Sequence, residues 1–286
     1  MRVRKSRKKY GGSRGGDIAI FIMLVLVGLF MLFPIYLSVI QSIKPSQELF
    51  LFPPKMYAIA PTGQNYVDLL NTASNMWVPF SRYVFNSVLV AVVVTVCQIF
   101  FCSFAAYVLS KTKFPGQKAL NKIIEIALLF TSSVMFIMQY MVMAMMGLID
   151  TYLAITLPYI ASPMGLFLMR QFMGQIPDAV IEAAKLDGAG HFRICWQIVM
   201  PNVKPAIMTL MIFAFQGAWQ VTGYAFIYSE ELKPLPTVMQ QISAAGIARA
   251  GVAAAAVVVT MVPPIIIFLI CQSNVMETMA QSGLKD

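Results

Sequence analysis

The residues best placed for chemistry with a partner lie in one polar segment, residues 175–205. In it Glu182 is followed by Ala183 and Ala184, with Gly188 further along. Residue patterns at its ends predict a short helix that stops at the glycine, then a second short helix over residues 192–199 and an end at Pro201. A short amphipathic element with small residues beside a carboxylate is suited to insertion into a groove of another protein. We therefore predict a docking element here.

The same sequence lacks the residues of a reaction centre. No stretch matches the phosphate-binding pattern G-x-x-x-x-G-K-[ST]. His191 is the single histidine, and the four cysteines have no C-x-x-C spacing. Without paired carboxylates, a nucleophile motif or a metal cluster, the chain is not expected to be an enzyme or to bind a metal or cofactor itself.

The elements that must position this segment are helices in a membrane. Of the 286 residues, 59% are hydrophobic and 12% charged, with a mean hydropathy of +0.74. A soluble domain has roughly 45–50% apolar and about 25% charged residues. The net charge of +9 comes from basic residues between the apolar runs, so nucleic acid is not an expected partner. We predict an all-α integral membrane protein.

Six apolar runs are long enough to be transmembrane helices, each needing about 20 residues. They are residues 18–40, 84–109, 126–149, 152–169, 206–228 and 250–276. Sixteen Lys and Arg residues fall on the side of the N-terminal tail and five on the other, which places both termini in the cytoplasm. The predicted organisation is a basic cytoplasmic tail (1–16), a six-span domain (17–276) and a C-terminal cytoplasmic tail (277–286).

The polar segment also resembles a known family element. Glu182-Ala183-Ala184, then Gly188, Ile198 and Met200-Pro201, at these spacings, are similar to the EAA loop of binding-protein-dependent ABC importer permeases, with Met200 where the family usually has Leu. Further stretches resemble the carbohydrate (maltose-type) permeases. They are Asn86-Ser87, Ala105-Ala106-Tyr107, Phe114-Pro115-Gly116 and Asp150-Thr151-Tyr152. The likeness covers roughly residues 15–286 and departs from the family at residues 219–224.

This resemblance implies a type I ABC importer permease fold in the bacterial cytoplasmic membrane. The loop at 176–205 would couple the chain to a cytoplasmic ATPase that binds ATP and Mg²⁺. The implied coupling residues are Glu182, Ala183, Ala184, Asp187, Gly188, Ile198 and Pro201. The implied partners are a second permease subunit, two ATPase copies, an extracytoplasmic solute-binding protein and membrane lipid.

Polar and aromatic residues within the predicted spans are candidates for a substrate path. They are Asn86, Gln139, Gln216, Trp219, Gln220 and Tyr224. Amides and aromatic faces hold sugars, but the same residues also form packing bonds between membrane helices, and both interpretations stay open. A sugar or oligosaccharide is the expected solute, with a polyol or glycerol phosphate as the alternative. An ion-coupled carrier is the alternative from another class. Against it, Glu125 is the one ionisable residue close to a span.

Overall fold

A computed structural model describes residues 14–75, 77–130, 132–223, 225–244, 246 and 249–282. Within these ranges the chain is helical and contains no β-strand. Most of the predicted basic tail (1–16), the last residues of the predicted C-terminal tail and Tyr224 lie outside the described residues.

The fold is a succession of long apolar helices and short connecting helices. The α-helices are α1 (Arg14–Ile43), α2 (Ser46–Leu49), α3 (Gln64–Ser74), α4 (Phe80–Lys111), α5 (Gln117–Ala127), α6 (Ser132–Met145), α7 (Tyr152–Ile160), α8 (Pro163–Gly174), α9 (Asp178–Leu186), α10 (His191–Arg193), α11 (Met200–Asn202), α12 (Lys204–Trp219), α13 (Leu235–Ser243) and α14 (Ala250–Ser282). A π-helical turn, Ile194–Val199, joins α10 to α11, and Glu230–Leu232 forms a single 3₁₀ turn.

Four segments of the described chain are long and apolar enough to cross a membrane. They are Ile18–Ile43, Phe80–Lys111, Tyr152–Gly174 and Ala250–Ser273. A fifth is obtained if the bent pair His191–Asn202 and Lys204–Trp219 counts as one span. The predicted runs at 18–40, 84–109 and 250–276 each lie within one continuous helix.

The predicted third span, residues 126–149, is not one continuous helix. Helix α5 ends at Ala127 and α6 begins at Ser132, so the apolar run is divided. After Ala127 the chain forms a turn, in which the Leu129 amide donates to the Ile126 carbonyl at 2.9 Å. Helix α6 has 14 residues, which is fewer than a span requires.

The fourth and fifth spans also differ in detail from the prediction. The fourth is divided between α7 and α8 because the residue before Pro163 avoids the helical conformation. The Ser162 hydroxyl then accepts a bond from the Gly165 amide at 3.0 Å, which caps α8. The predicted fifth span, 206–228, was too long at its C-terminal end, since α12 ends at Trp219. Beyond it Gly223, with φ +62°, directs the chain into a turn.

Helix α4 runs through both halves of the core. One cluster of buried side chains includes Tyr83, Val90 and Trp219, and the other includes Tyr107 and Ile194. Along its length α4 packs against α7, α8, α12 and α13. Helix α1 lies outside this core, and its apolar side chains from Ile18 to Phe33 are exposed. Helix α4 is therefore the central element of this fold.

Asp150 fixes the connection between α6 and α7 to the segment that follows α12. Its backbone lies in the left-handed region, φ 61°, which aspartate tolerates better than most residues. Its carboxylate accepts bonds from the Ser229 hydroxyl and from the backbone amides of Ser229 and Tyr228, both at 2.9 Å. These donors hold the pKa of Asp150 below its ordinary value.

Candidate functional site

The 176–205 loop begins with a short helix that ends in a glycine turn, as its sequence predicts. Helix α9 starts at Asp178, and its C-terminal carbonyls are closed by two backbone bonds. The Gly188 amide donates to the Lys185 carbonyl and the Ala189 amide to the Ala184 carbonyl, each at 3.0 Å. This pattern needs a left-handed residue after the helix, and Gly188 supplies it with φ +80°.

Helix α9 buries one face and leaves the other unpartnered within the chain. Ile181 and Ala184 are buried in the core, whereas Glu182 and Ala183 are exposed. Leu186 is 89% exposed. A carboxylate, a small residue and a large apolar residue thus face outward together, and Asp187 and Gly188 are exposed beside them.

The second arm of the loop starts at His191 and continues further than its sequence predicts. Pro201 does not end this arm, because it occupies the first turn of α11, where a proline is tolerated. The helical path instead breaks at Val203, where the chain bends by 87° into α12. Ile198 is half-buried and Pro201 is exposed.

Aromatic side chains join this second arm to α4. The rings of Phe192 and Phe104 stack with their centroids 5.2 Å apart, and Trp196 meets Phe104 edge-on at 6.0 Å. Offset and edge-on aromatic pairs are favourable beyond the area that they bury. The second arm is thereby held against the C-terminal half of α4.

Two polar residues of α4 fasten both arms of the loop. The Tyr107 hydroxyl lies 3.0 Å from Nδ1 of His191 in the second arm. The ammonium group of Lys111 donates to the Ile176 carbonyl at 2.5 Å and to Oδ1 of Asp178 at 2.8 Å in the first arm. The bond and charge of Lys111 hold the pKa of Asp178 below its ordinary value.

Sequence reasoning did not single out Lys111, and it noted Tyr107 only as part of a family-like stretch. The available signal was their spacing of four residues, which places both on one face of α4. Nothing in the sequence indicates which distant residues that face meets. The contacts of Lys111 are 65 and 67 residues away along the chain, so only the fold shows them.

Three of the predicted substrate-path residues line one cavity. Gln216, Trp219 and Gln220 border a space of about 640 Å³ between α12, α13 and α14. Sequence reasoning missed the polar residues that face them across it, namely Gln240, Ser243 and Thr260. The Trp219 indole donates to the Thr260 carbonyl at 2.9 Å and its ring stacks on Phe215, so its orientation is fixed. The described lining contains amides and hydroxyls and no charged side chain.

The other predicted path residues lie elsewhere. Gln139 borders a separate cavity of about 480 Å³ beside Gln98 and the break between α7 and α8. Asn86 is fully buried and both ends of its amide are used within the chain. It donates to the carbonyls of Glu231 and Lys233 at 2.8 and 2.9 Å and accepts from the Tyr152 hydroxyl at 2.7 Å. This bonding favours the packing interpretation for Asn86.

The described residues include no group of three His, Cys, Asp or Glu side chains that could hold a metal ion. The charged groups of the loop include the exposed carboxylates of Glu182 and Asp187 and the ion pair of Lys111 with Asp178.

Comparison with known proteins finds relatives that match nearly the whole chain, among them transport system permease proteins. The sn-glycerol-3-phosphate transport system permease protein UgpE of Yersinia enterocolitica is 28% identical over 91% of this chain and 94% of its own length. The arabinooligosaccharides transport system permease protein AraQ of Bacillus subtilis is 27% identical over 94% of this chain and 95% of its own length.

A solved structure shares the fold. A bacterial ABC transporter involved in the import of the acidic polysaccharide alginate has a chain that superposes with a TM-score of 0.78 at 22% identity, covering 93% of this chain and 99% of that one. The profile of the family described as "Binding-protein-dependent transport system inner membrane component" matches residues 98–277. That match includes α9, the glycine turn and the second arm of the loop, and the chain belongs to this family of inner-membrane transport components.

Proposed function

We propose that this chain is one half of a permease pair in a bacterial ABC importer and crosses the membrane six times with both termini in the cytoplasm. It is a non-catalytic membrane subunit, and ATP hydrolysis belongs to the ATPase of the transporter. The proposed partners are a second permease subunit, two copies of the ATPase that bind ATP and Mg²⁺, and an extracytoplasmic solute-binding protein. The observation that carries this proposal is the 176–205 loop, which is fastened to the central helix α4 and leaves one face of α9 exposed.

Two observations support the six-span topology: the basic residues that follow α4, and the cavity beside the division between α5 and α6. Helix α4 has Lys111 at its C-terminal end, followed by a basic stretch that suits the cytoplasmic side. The division between α5 and α6 is compatible with a span, because non-helical backbone is tolerated at membrane depth where protein buries it or a cavity adjoins it. A cavity does adjoin this division, since Leu128 and Phe130 line it.

The proposed docking residues are Glu182, Ala183, Ala184, Asp187, Gly188, Ile198 and Pro201. Glu182 would pair with a basic group of the ATPase, and Ala183 would permit close approach. Leu186 adds an apolar anchor, and burial of a leucine side chain contributes roughly 1.5–3 kcal/mol. Ala184 and Ile198 act from the buried side, where they fix the loop against the core.

The assembly is tested by purifying the affinity-tagged chain in mild detergent and identifying the co-purifying proteins by mass spectrometry. We expect an ABC ATPase and a second multi-span permease in stable proportion. A known ABC importer purified in parallel shows that the conditions preserve such complexes. If that importer stays intact while this chain emerges alone or as a homo-oligomer without an ATPase, the proposed function is wrong.

The cavity between α12, α13 and α14 favours a neutral polyhydroxylated solute as substrate. Its volume of about 640 Å³ lies within the range of small-molecule sites. Gln216 and Gln220 are exposed toward it and can exchange hydrogen bonds with hydroxyl groups, while Trp219 and Phe215 offer apolar surface. A phosphate ester would be expected to meet Arg or Lys. We therefore place a sugar ahead of glycerol phosphate, the solute named for the UgpE relative.

A pair of substitutions tests which cavity the solute passes. Gln216→Leu combined with Gln220→Leu is expected to reduce uptake by on the order of tenfold, because two hydrogen-bonding groups of the path become apolar. Gln139→Leu is the matched control in the second cavity and should leave uptake near wild type. The measurement is radiolabelled sugar uptake by cells expressing the whole importer at equal permease level. A loss confined to Gln139→Leu would place the path in the other cavity.

A further inference from the structure

Helix α4 differs from the other long helices in lacking any residue at which helices readily bend. It has 32 residues and contains neither glycine nor proline. Each of the other described helices of sixteen residues or more contains at least one of the two, as in α1 with Pro34, α12 with Gly217 and α14 with Pro263. Glycine and proline are the residues at which helices most readily bend. Helix α4 is accordingly the stiffest path through the core.

Both ends of α4 are hydrogen-bonded to segments that face opposite sides of the molecule. Near its N-terminal end, Asn86 holds the Glu231 and Lys233 carbonyls, and the Ser87 hydroxyl accepts a bond from the Leu235 amide at 2.7 Å. At its C-terminal end, Tyr107 and Lys111 hold the two arms of the 176–205 loop. All four side chains are at least 95% buried: Asn86, Ser87, Tyr107 and Lys111.

The distance between the two fastened ends matches the thickness of a membrane core. Ser87 and Tyr107 are separated by twenty residues of uninterrupted helix, which corresponds to about 30 Å. A stiff helix of this length moves as one body when either end is displaced. A displacement of the loop must then either break the buried bonds at its own end or move the segment 230–235 at the other.

We propose that α4 transmits displacement of the 176–205 loop to the segment 230–235, with Tyr107 and Lys111 as positioning residues at one end and Asn86 and Ser87 at the other. This inference rests on the proposed docking of the loop to an ATPase. It assigns Asn86 a role in transmission and not in solute contact. Because coupling between two sites is reciprocal, a change at either end should be felt at the other.

The test follows the Leu235 amide, which bonds to Ser87, by hydrogen–deuterium exchange of the purified complex. Exchange is measured with and without AMP-PNP and Mg²⁺, so no knowledge of the solute is needed. In the wild-type complex, nucleotide is expected to change the exchange rate of the peptide that contains Leu235 by about three- to tenfold, because segment 230–235 moves with α4 and changes its hydrogen bonds to the other elements around it.

Lys111→Met is expected to abolish this remote response while leaving the ATPase attached. Methionine keeps the length and packing of the lysine stem but cannot donate to Ile176 or Asp178. The matched control is Thr95→Val, a nearly isosteric change of another buried α4 residue whose hydroxyl has no hydrogen-bond partner among the described residues. Thr95→Val should respond as wild type does.

Tyr107→Phe is the second variant, in case Lys111→Met fails to assemble, and should weaken the response by removing a single oxygen atom. A wild-type-sized response in either assembled variant would overturn the role of α4, as would a wild-type complex with ATPase attached and no response. Absence of the ATPase from the wild-type complex would refute the proposed function, and this outcome is seen separately in the composition of the complex.

Discussion

A Glu182→Lys chain is expected to fold and insert like the wild type and to lose most of its attachment to the ATPase. The Glu182 side chain is exposed and has no hydrogen bond or ion pair with any described residue, so its replacement removes no polar side-chain contact in the described part of the chain. If it faces a basic group, the new lysine places like charges together, and such pairs cost several kcal/mol at an interface. We expect at least a tenfold loss of co-purifying ATPase, measured as the ratio of ATPase to permease.

Glu231→Lys is the matched control for this charge reversal. Glu231 is also exposed, and its replacement by lysine changes the net charge by the same amount. It lies at the other end of α4, where its backbone carbonyl accepts hydrogen bonds from Asn86 and Arg82. The control should retain ATPase in the wild-type ratio. Equal retention by the two variants would show that Glu182 does not contact the ATPase, and equal loss would indicate a general effect of added positive charge.

The sequence predicts the membrane class and the loop well because both depend on local patterns. Apolar runs report burial in lipid or core directly, and the stop of α9 at Gly188 follows from one conformational requirement. Helix continuity is less predictable. The division after Ala127 and the end of α12 at Trp219 occur inside apolar runs, where hydropathy gives no signal for a break.

The candidate site also has features that the sequence predicts and features that only the fold shows. The exposed face of α9 could be inferred from motif spacing, whereas its attachment to α4 could not, because Lys111 and Asp178 are 67 residues apart. Asn86, Gln139 and Gln216 look alike in sequence as isolated amides within apolar runs. Only their surroundings separate a fully bonded Asn86 from two glutamines that line different cavities.

Gly188→Val is expected to uncouple the loop even though the new side chain meets no neighbour. The position has φ +80° and open space around it, so the effect of valine comes from the backbone alone. A left-handed conformation costs a residue with a Cβ roughly 1–2 kcal/mol, and more when it is β-branched. The chain can avoid this strain by opening the turn, which loses the bond from the Ala189 amide to the Ala184 carbonyl and changes the angle between the two arms.

Gly190→Val separates this backbone effect from the mere addition of a side chain to the loop. Gly190 lies two residues away, also in open space, but its φ of −70° and ψ of 159° are extended backbone that valine adopts readily. Solute uptake and ATPase retention should fall on the order of tenfold for Gly188→Val and stay near wild type for Gly190→Val. If both variants transport normally, the angle at Gly188 has no part in coupling. If both fail alike, the loop surface is too closely covered by its partner to accept any added methyl group, and the docking face must then extend beyond α9 to include the turn itself.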